Sequence, residues 1–356
     1  MILLPNNIRI LIDRTLGEVK GTVDALHRNR KDILWDRVLY HGVILPLGML
    51  YGIWLLFTQA TWITRIFFYP FGMITGLGVT AGTHRLWSHR SYKARLPLRV
   101  LLMILQSSCK QFSIYEWSRN HRTHHKYSDT DGDPHNARRG LFYTHIGWLM
   151  LKKSDEVLSK FEKIGLSDLE NDSVVMFQKK TYHLWTVLWC YLIPPLIPWH
   201  FWNEDIWLSF IVMGVMRQAV IVQFSLLGNS VAHKYGNRPF DKNILPVNSK
   251  IINIIGIGEG WHNFHHVFPW DYRSAEVGNY KYNFTTGFIE LMRKIGWAYD
   301  LKAVSADVVR KRALRTGDGT WKGYDMKNQE GEVWGWGDGD MNKEEVELVC
   351  TFNKIK

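Results

Sequence analysis

The chain has only three cysteines in 356 residues, at positions 109, 190 and 350. Thiols so few, odd in number and far apart make neither a disulfide framework nor a thiolate metal site. Any metal must therefore be held by histidine or carboxylate. There is no Gly-x-x-x-x-Gly-Lys-Ser/Thr loop and no dinucleotide-binding glycine fingerprint, so reducing equivalents would have to come from another protein. A His-Glu-x-x-His motif is also lacking, which disfavours a zinc protease. The start, Met1-Ile2-Leu3-Leu4-Pro5, is too short for a signal-peptide apolar region and has no basic prefix. Membrane insertion, if any, is expected to use internal segments.

A net charge of +11 and a pI near 9.4 point to an anionic partner: nucleic acid, a membrane surface or an acidic substrate. Seventeen tryptophans and fifteen tyrosines suit rings lying at lipid headgroup depth. The mean hydropathy of -0.17 conceals segregation, because the apolar residues come in blocks. A bilayer core needs about 20 apolar residues in a helix. Val38 to Phe57 meets this, with His41 its one readily ionisable residue, and Trp62 to Thr83 follows after a short turn. Tyr182 to Trp199, broken by three prolines, and Ile206 to Leu227, with Arg217 in its middle, make a second pair around Asn203-Glu204-Asp205. Arg217 should face inward, since a charge against lipid is costly. Pro97 to Phe112 is too short to span and reads as a helix at the surface or beneath a catalytic domain.

The expected architecture is an all-α integral membrane protein. Four transmembrane helices in two hairpins would be capped by a cytosolic helical domain holding a histidine-ligated dimetal site. The expected segments are 1–37, partly helical from Leu16; the hairpin 38–83; a catalytic segment 84–181; the hairpin 182–227; a second catalytic segment 228–316; and a loosely ordered tail 317–356. With an even number of spans, the large segments share one side. They carry nearly all the Lys and Arg, so that side is read as cytosolic. Four apolar spans argue against a nucleic-acid partner.

Three short stretches then fall in one compartment beside the membrane. His121, His124 and His125 stand at i, i+3 and i+4, and His262, His265 and His266 repeat that spacing. On a helix each trio would share one face. His84 and His89, at i and i+5, would point about 140° apart on an α-helix, so each is expected to serve a different metal. Asn229 and His233 form a further pair at i, i+4, with ordinary polar capping as the plainer reading. Nine histidines exceed what one four-coordinate zinc can use, which favours two metals. Spacing leaves zinc, copper, iron and nickel all open. His27, His41, His135, His145, His183 and His200 lack partners at helical spacing and are read as non-ligands. His135, in Asp133-Pro134-His135-Asn136, could support a ligand from behind.

From about Val38 to Gly319 the chain resembles the membrane-bound acyl-CoA desaturases of the stearoyl-CoA (delta-9) type, most closely their insect branch. The resemblance rests on the boxes His84-x-x-x-x-His89, His121-x-x-His124-His125 and His262-x-x-His265-His266, interleaved with two hairpins, and on Asn229-Ser230-Val231-Ala232-His233. It implies two iron ions held by the nine histidines, with Asn229 close to one through water. It also implies an endoplasmic reticulum enzyme with cytosolic termini and active site. That enzyme would use dioxygen to place a double bond, expected to be cis, in a saturated fatty acyl-CoA for unsaturated fatty acid biosynthesis. Electrons would come through cytochrome b5 and an NADH-dependent reductase. Arg119, Lys152 and Lys153 would contact the coenzyme A head group, with solvated surface charge as the alternative for the two lysines. Gln111, Trp117 and Ser225 would form the bend of an acyl tunnel, and Gly72 and Gly76 would line its far part. Three departures stand out: Phe112-Ser113 where the family has Asn-Asp, Leu226 where Trp is common, and Gly72 where mammalian members close the tunnel with a bulky residue. A hydroxylase, conjugase or acetylenase of the same chemistry is a neighbouring reading. A histidine-rich metal transporter is a more distant one, since it would want its histidines inside the spans.

Overall fold

The computed structural model describes residues 30–275, 283–323, 332–333 and 349–352. The expected helix from Leu16 and most of the tail lie outside them. Three helices among the described residues are long and apolar enough to cross a membrane: α1 (Trp35–Thr58), α2 (Trp62–Ser88) and a later one, Ile206–His233. α1 and α2 pack as the expected hairpin, but both later ends run past the apolar stretch into the histidine motifs. α2 carries His84 within it, and Asn229 and His233 belong to the later helix instead of following it.

α3 (Leu96–Ser107) buries Leu98, Leu102 and Leu105 beneath the catalytic segment while Leu96 and Val100 face outward. α4 (Ile114–Tyr127) carries the middle histidine motif. The expected third span lies in a continuous helical stretch, α5 (residues 173–202), kinked at Thr181 (φ -112°, ψ 17°). It does not reach the apolarity of the other three, because Trp, Tyr, His and three prolines dilute its aliphatic residues. Then come α6 (Ile206–His233), α7 (His262–Val267), α8 (Phe284–Lys294) and α9 (Ala306–Thr316). The all-α expectation needs correction. β1 (Lys93–Ala94) pairs antiparallel with β2 (Ala298–Tyr299), and β3 (Leu301–Val304), β4 (Glu332–Val333) and β5 (Val349–Phe352) form a sheet in the order β3-β5-β4. Strands of two to four residues carry too little alternation to be seen in a sequence. β5 also ties part of the tail back onto the body.

Side chains such as Leu47, Leu50, Phe57, Ile66, Leu184 and Phe201 lie exposed along α1, α2 and α5. So continuous an apolar exterior suits a lipid surround. Inside, Arg217 is fully buried, as its position in α6 required. Its guanidinium donates to the carbonyls of Met213 (2.7 Å), Ser108 (3.1 Å) and Cys190 (3.2 Å) and to Thr75 Oγ1 (3.3 Å). One cation thus ties α6 to α2, to α5 and to the loop after α3. At the opposite end Glu204 joins the two hairpin turns. It accepts from the Thr61 amide (2.9 Å), from Thr61 Oγ1 (2.7 Å) and from Thr64 Oγ1, and Trp202 Nε1 donates to Thr64 Oγ1 at 2.8 Å.

α2 and α3 approach closely at Gly78, where an added Cβ would lie 2.0 Å from the Gln106 amide nitrogen. Gly78→Ala must push two backbones apart and is expected to cost at least about 1–3 kcal/mol, measured as a lower thermal midpoint in detergent. Gly72→Ala, whose new carbon meets nothing within 4 Å, should leave that midpoint unchanged.

Candidate metal centre

The Gly78–Ser88 part of α2 winds as a π-helix, and the His89 amide donates to the His84 carbonyl at 3.1 Å, five residues back. In that wider winding i and i+5 lie nearly above one another. His84 and His89 therefore come together, ring centroids 5.0 Å apart. The expectation that they serve different metals, which assumed α-helical winding, is corrected. α4 begins with a capping box in which the Glu116 amide donates to Ser113 Oγ (3.2 Å) and the Ser113 amide to Glu116 Oε2 (3.2 Å). Ser113 thus sets where this helix starts. The trios on α4 and α7 do not each stay together. His121 and His265 join His84 and His89 in one group of four, and His124, His262 and His266 join His233 in another. His125 sits between, its ring centroid 4.5 Å from His89, 4.7 Å from His265 and 4.2 Å from His266.

Behind the rings stand carboxylates. Glu259 lies 2.9 Å from His84 Nδ1, Asp133 2.8 Å from His124 Nδ1 and Asp129 3.3 Å from His233 Nδ1. Of these only Asp133 belongs to a stretch named from the sequence, Asp133-Pro134-His135-Asn136. Asp129 and Glu259 carried no periodic signal. Such partners direct the Nδ1 proton backward and leave Nε2 as a bare acceptor. Burial raises the Glu259 pKa, but Arg85, 2.7 Å away, and His84 outweigh it and hold it at about 2. Burial likewise opposes the ionised Asp133, and its histidine neighbours prevail and hold it well below the carboxylate range. Burial and crowding by other rings keep His89, His121, His125, His262, His265 and His266 well below the ordinary histidine range, hence neutral. His124 is the reverse: burial lowers it, but Asp133 more than compensates and raises it.

The Nε2 atoms face one another. His265 Nε2 is 2.9 Å from that of His84 and 3.0 Å from that of His125; His262 Nε2 is 3.1 Å from that of His233 and 3.2 Å from that of His266. One hydrogen cannot serve two such neighbours. Converging imidazole nitrogens, in two groups, are the donor set of borderline divalent metals, so these residues fit two metal ions. The His135 ring centroid lies 4.2 Å from that of His124 and its Nδ1 3.6 Å from Asp133, and these three residues form a further group that could hold a metal. His145 is held by Ser230 and Gln223 and His41 lies apart, while His27 is outside the described residues.

The fatty acid desaturase family model matches residues 60–278. The chain belongs to that family. It is 48% identical over 334 residues to the acyl-CoA Delta-12 desaturase of Tribolium castaneum, covering 90% of this chain and 92% of that one. It is 47% identical over 318 residues to the acyl-CoA Delta-9 desaturase of Acheta domesticus (89% and 86%) and 46% identical over 298 residues to the acyl-CoA Delta(11) desaturase of Trichoplusia ni (84% and 82%). The expected family is therefore the right one. Its relatives differ in bond position, so a delta-9 pattern does not follow from membership.

Two cavities of this desaturase-family chain meet beside the histidines and share Trp117, His121, Ser225 and Asn229. The apolar one, about 150 Å³, is walled by Phe68, Gly72, Gly76 and Phe224 and reaches His84 and His262. The other, about 620 Å³, includes Tyr40, Lys110, Gln111, Phe112 and Leu226. Trp117 stacks on His121 with centroids 4.8 Å apart. Arg119, Lys152 and Lys153 line neither cavity. The Arg119 guanidinium covers Phe161 at 4.3 Å, Lys152 is exposed, and the Lys153 ammonium lies 4.2 Å over Trp148, where burial draws its pKa down to about 7. A third cleft, lined by Arg90, Arg122, Lys126, Lys163 and Arg312, opens onto His89, His125 and His266.

Asp133→Asn keeps the shape of the His124 partner but removes its charge. Metal affinity should fall about 10–100-fold, measured as metal retained by the purified protein under graded chelation. Asp131→Asn, at an exposed position, should retain metal normally.

Proposed function

We propose that the chain is an acyl-CoA desaturase that uses dioxygen and two iron ions to convert a –CH2–CH2– pair of a saturated acyl-CoA to –CH=CH–. The observation that carries this reading is the placing of two four-histidine groups at the junction of two cavities, one of them apolar. His84, His89, His121 and His265 would hold one ion and His124, His233, His262 and His266 the other. His125 lies between them, and Asn229 lines the cavity beside His262. Iron bound there supplies the redox chemistry by which dioxygen, with two electrons from the substrate and two from a donor, becomes two waters.

The protein's own part is positioning. Glu259 and Asp133 fix the tautomers of His84 and His124, and Trp117, Ser225 and Gln111 surround the point where a chain passing between the cavities would bend. Gly72 and Gly76 leave room for its methyl end. Close confinement excludes water and selects the carbons that meet the oxidant. The basic third cleft suits an acidic electron carrier such as cytochrome b5, itself reduced by an NADH-dependent reductase. Arg119, Lys152 and Lys153 lie on the cytosolic side, where a phosphate-bearing head group would rest. We further read α5 as the third of four spans, which keeps residues 84–181 and 228–316 on the cytosolic face of the endoplasmic reticulum.

Expression in a desaturase-deficient host should yield monounsaturated acyl chains, whose bond position is read from the lipid profile. Absence of any new double bond would refute the reading. His124→Ala and His265→Ala should each abolish product while the protein still accumulates in membranes; activity in either variant would overturn the ligand assignment. Gly72→Phe should shift products toward shorter chains, compared within that profile.

A further inference from the structure

The larger cavity holds more polar chemistry than a hydrocarbon chain calls for. Lys110, just beyond α3, lies with its ammonium 4.0 Å from the Tyr40 ring and 5.0 Å from the Tyr191 ring, and donates to Tyr191 Oη at 3.0 Å. The hydroxyls of Tyr191 and Tyr40 are 2.9 Å apart, and Tyr40 donates to Gln218 Oε1 at 3.1 Å. Tyr191 Oη also lies 3.5 Å from Gln218 Oε1, so its proton goes to Tyr40 or to Gln218 while its oxygen accepts from Lys110. In either arrangement both hydroxyl protons are spent within the relay of Tyr191, Tyr40 and Gln218. An ammonium has three hydrogens, and one of Lys110's is used. Among the described residues no carboxylate lies within ion-pair distance of it. Buried His41 Nδ1, on the same cavity wall, also has no partner.

We propose that Lys110, backed by the Tyr191–Tyr40–Gln218 relay, is a subsite for a hydrogen-bond-accepting oxygen of the acyl substrate: either the thioester carbonyl or an oxygen carried on the chain. Lys110 is half-buried and has no counter-ion, and two ring faces and one hydroxyl fill its shell only in part; a relay that has spent its protons offers a ligand only the ammonium's donors. The oxygen would sit in the cavity on the α1 side of Trp117, opposite the apolar cavity that takes the methyl end. This inference rests on the acyl-CoA reading above.

The test is equilibrium binding of three ligands to the full chain and to Lys110→Met: octadecanoyl-CoA, its S-octadecyl thioether lacking the carbonyl, and hydroxyoctadecanoyl-CoA. If the carbonyl is the ligand, the wild type binds the thioether at least about tenfold more weakly than the thioester, and Lys110→Met abolishes the difference. If the oxygen lies on the chain, the wild type prefers the hydroxylated ligand by a similar factor and the variant again loses the preference. Tyr191→Phe, which removes only the relay's first acceptor, should reduce the same discrimination part-way. A Lys110→Met protein that keeps the wild-type discrimination, or weakens all three ligands equally, overturns the subsite. Wild-type protein that binds none of the three overturns the acyl-CoA reading and the subsite with it.

Discussion

Nine imidazoles crowded into one buried space cannot all be satisfied by each other. Where His265 and His262 each face two neighbouring ring nitrogens, a single proton is too few, and protonating the rings would pack cations together. The arrangement makes sense as a set of lone pairs awaiting positive charge at its centre. The rest of the site serves that constraint. Carboxylates stand behind the rings where they can hold Nδ1 protons, Arg85 keeps Glu259 ionised, and α2 and α6 run beyond their apolar stretches so that their last turns carry histidines of the two groups. Metal binding and folding are coupled in such a centre, because the rings repel one another less once a cation lies between them.

The motifs were legible because histidine is scarce in an apolar chain and its spacing repeats. The partition among the two groups was not. It depends on the π-winding between Gly78 and Ser88, which adds the fraction of a residue per turn that brings His84 over His89, and no residue in Gly78-Val79-Thr80-Ala81-Gly82 announces it. It depends also on tertiary packing, which divides the trios of α4 and α7 between the two groups. The supporting acids escaped for a related reason: Glu259 and Asp129 lie in connecting segments, where periodicity carries no information. Hydropathy located the spans but blurred at α5, whose rings and prolines can face protein neighbours as well as lipid. The short strands were beyond any pattern of two residues.

Relatives of nearly equal similarity bear three different bond positions in their names, so overall likeness does not decide where this chain would act. The histidine groups are a poor place to look for the difference, since they have one chemistry to perform. The walls are a better one. Gly72 leaves space where a side chain could end the apolar cavity, Leu226 and Phe112 put hydrocarbon beside the larger one, and the polar cluster around Lys110 gives that cavity a character unlike its neighbour's. Ser113 shows the opposite lesson. It is a departure from the family pattern that the helix start of α4 itself explains.

Glu204 has a consequence for motion. By joining the turn after α1 to the turn after α5 through one buried carboxylate, it makes that end of the helical bundle a shared pivot. Two helix pairs pinned at their tips by Glu204 and again along their length by Arg217 part least between these points and most at the opposite ends. Those ends carry His84, Asn229 and His233. Whatever slack the bundle has is therefore delivered beside the two histidine groups and the cavity junction.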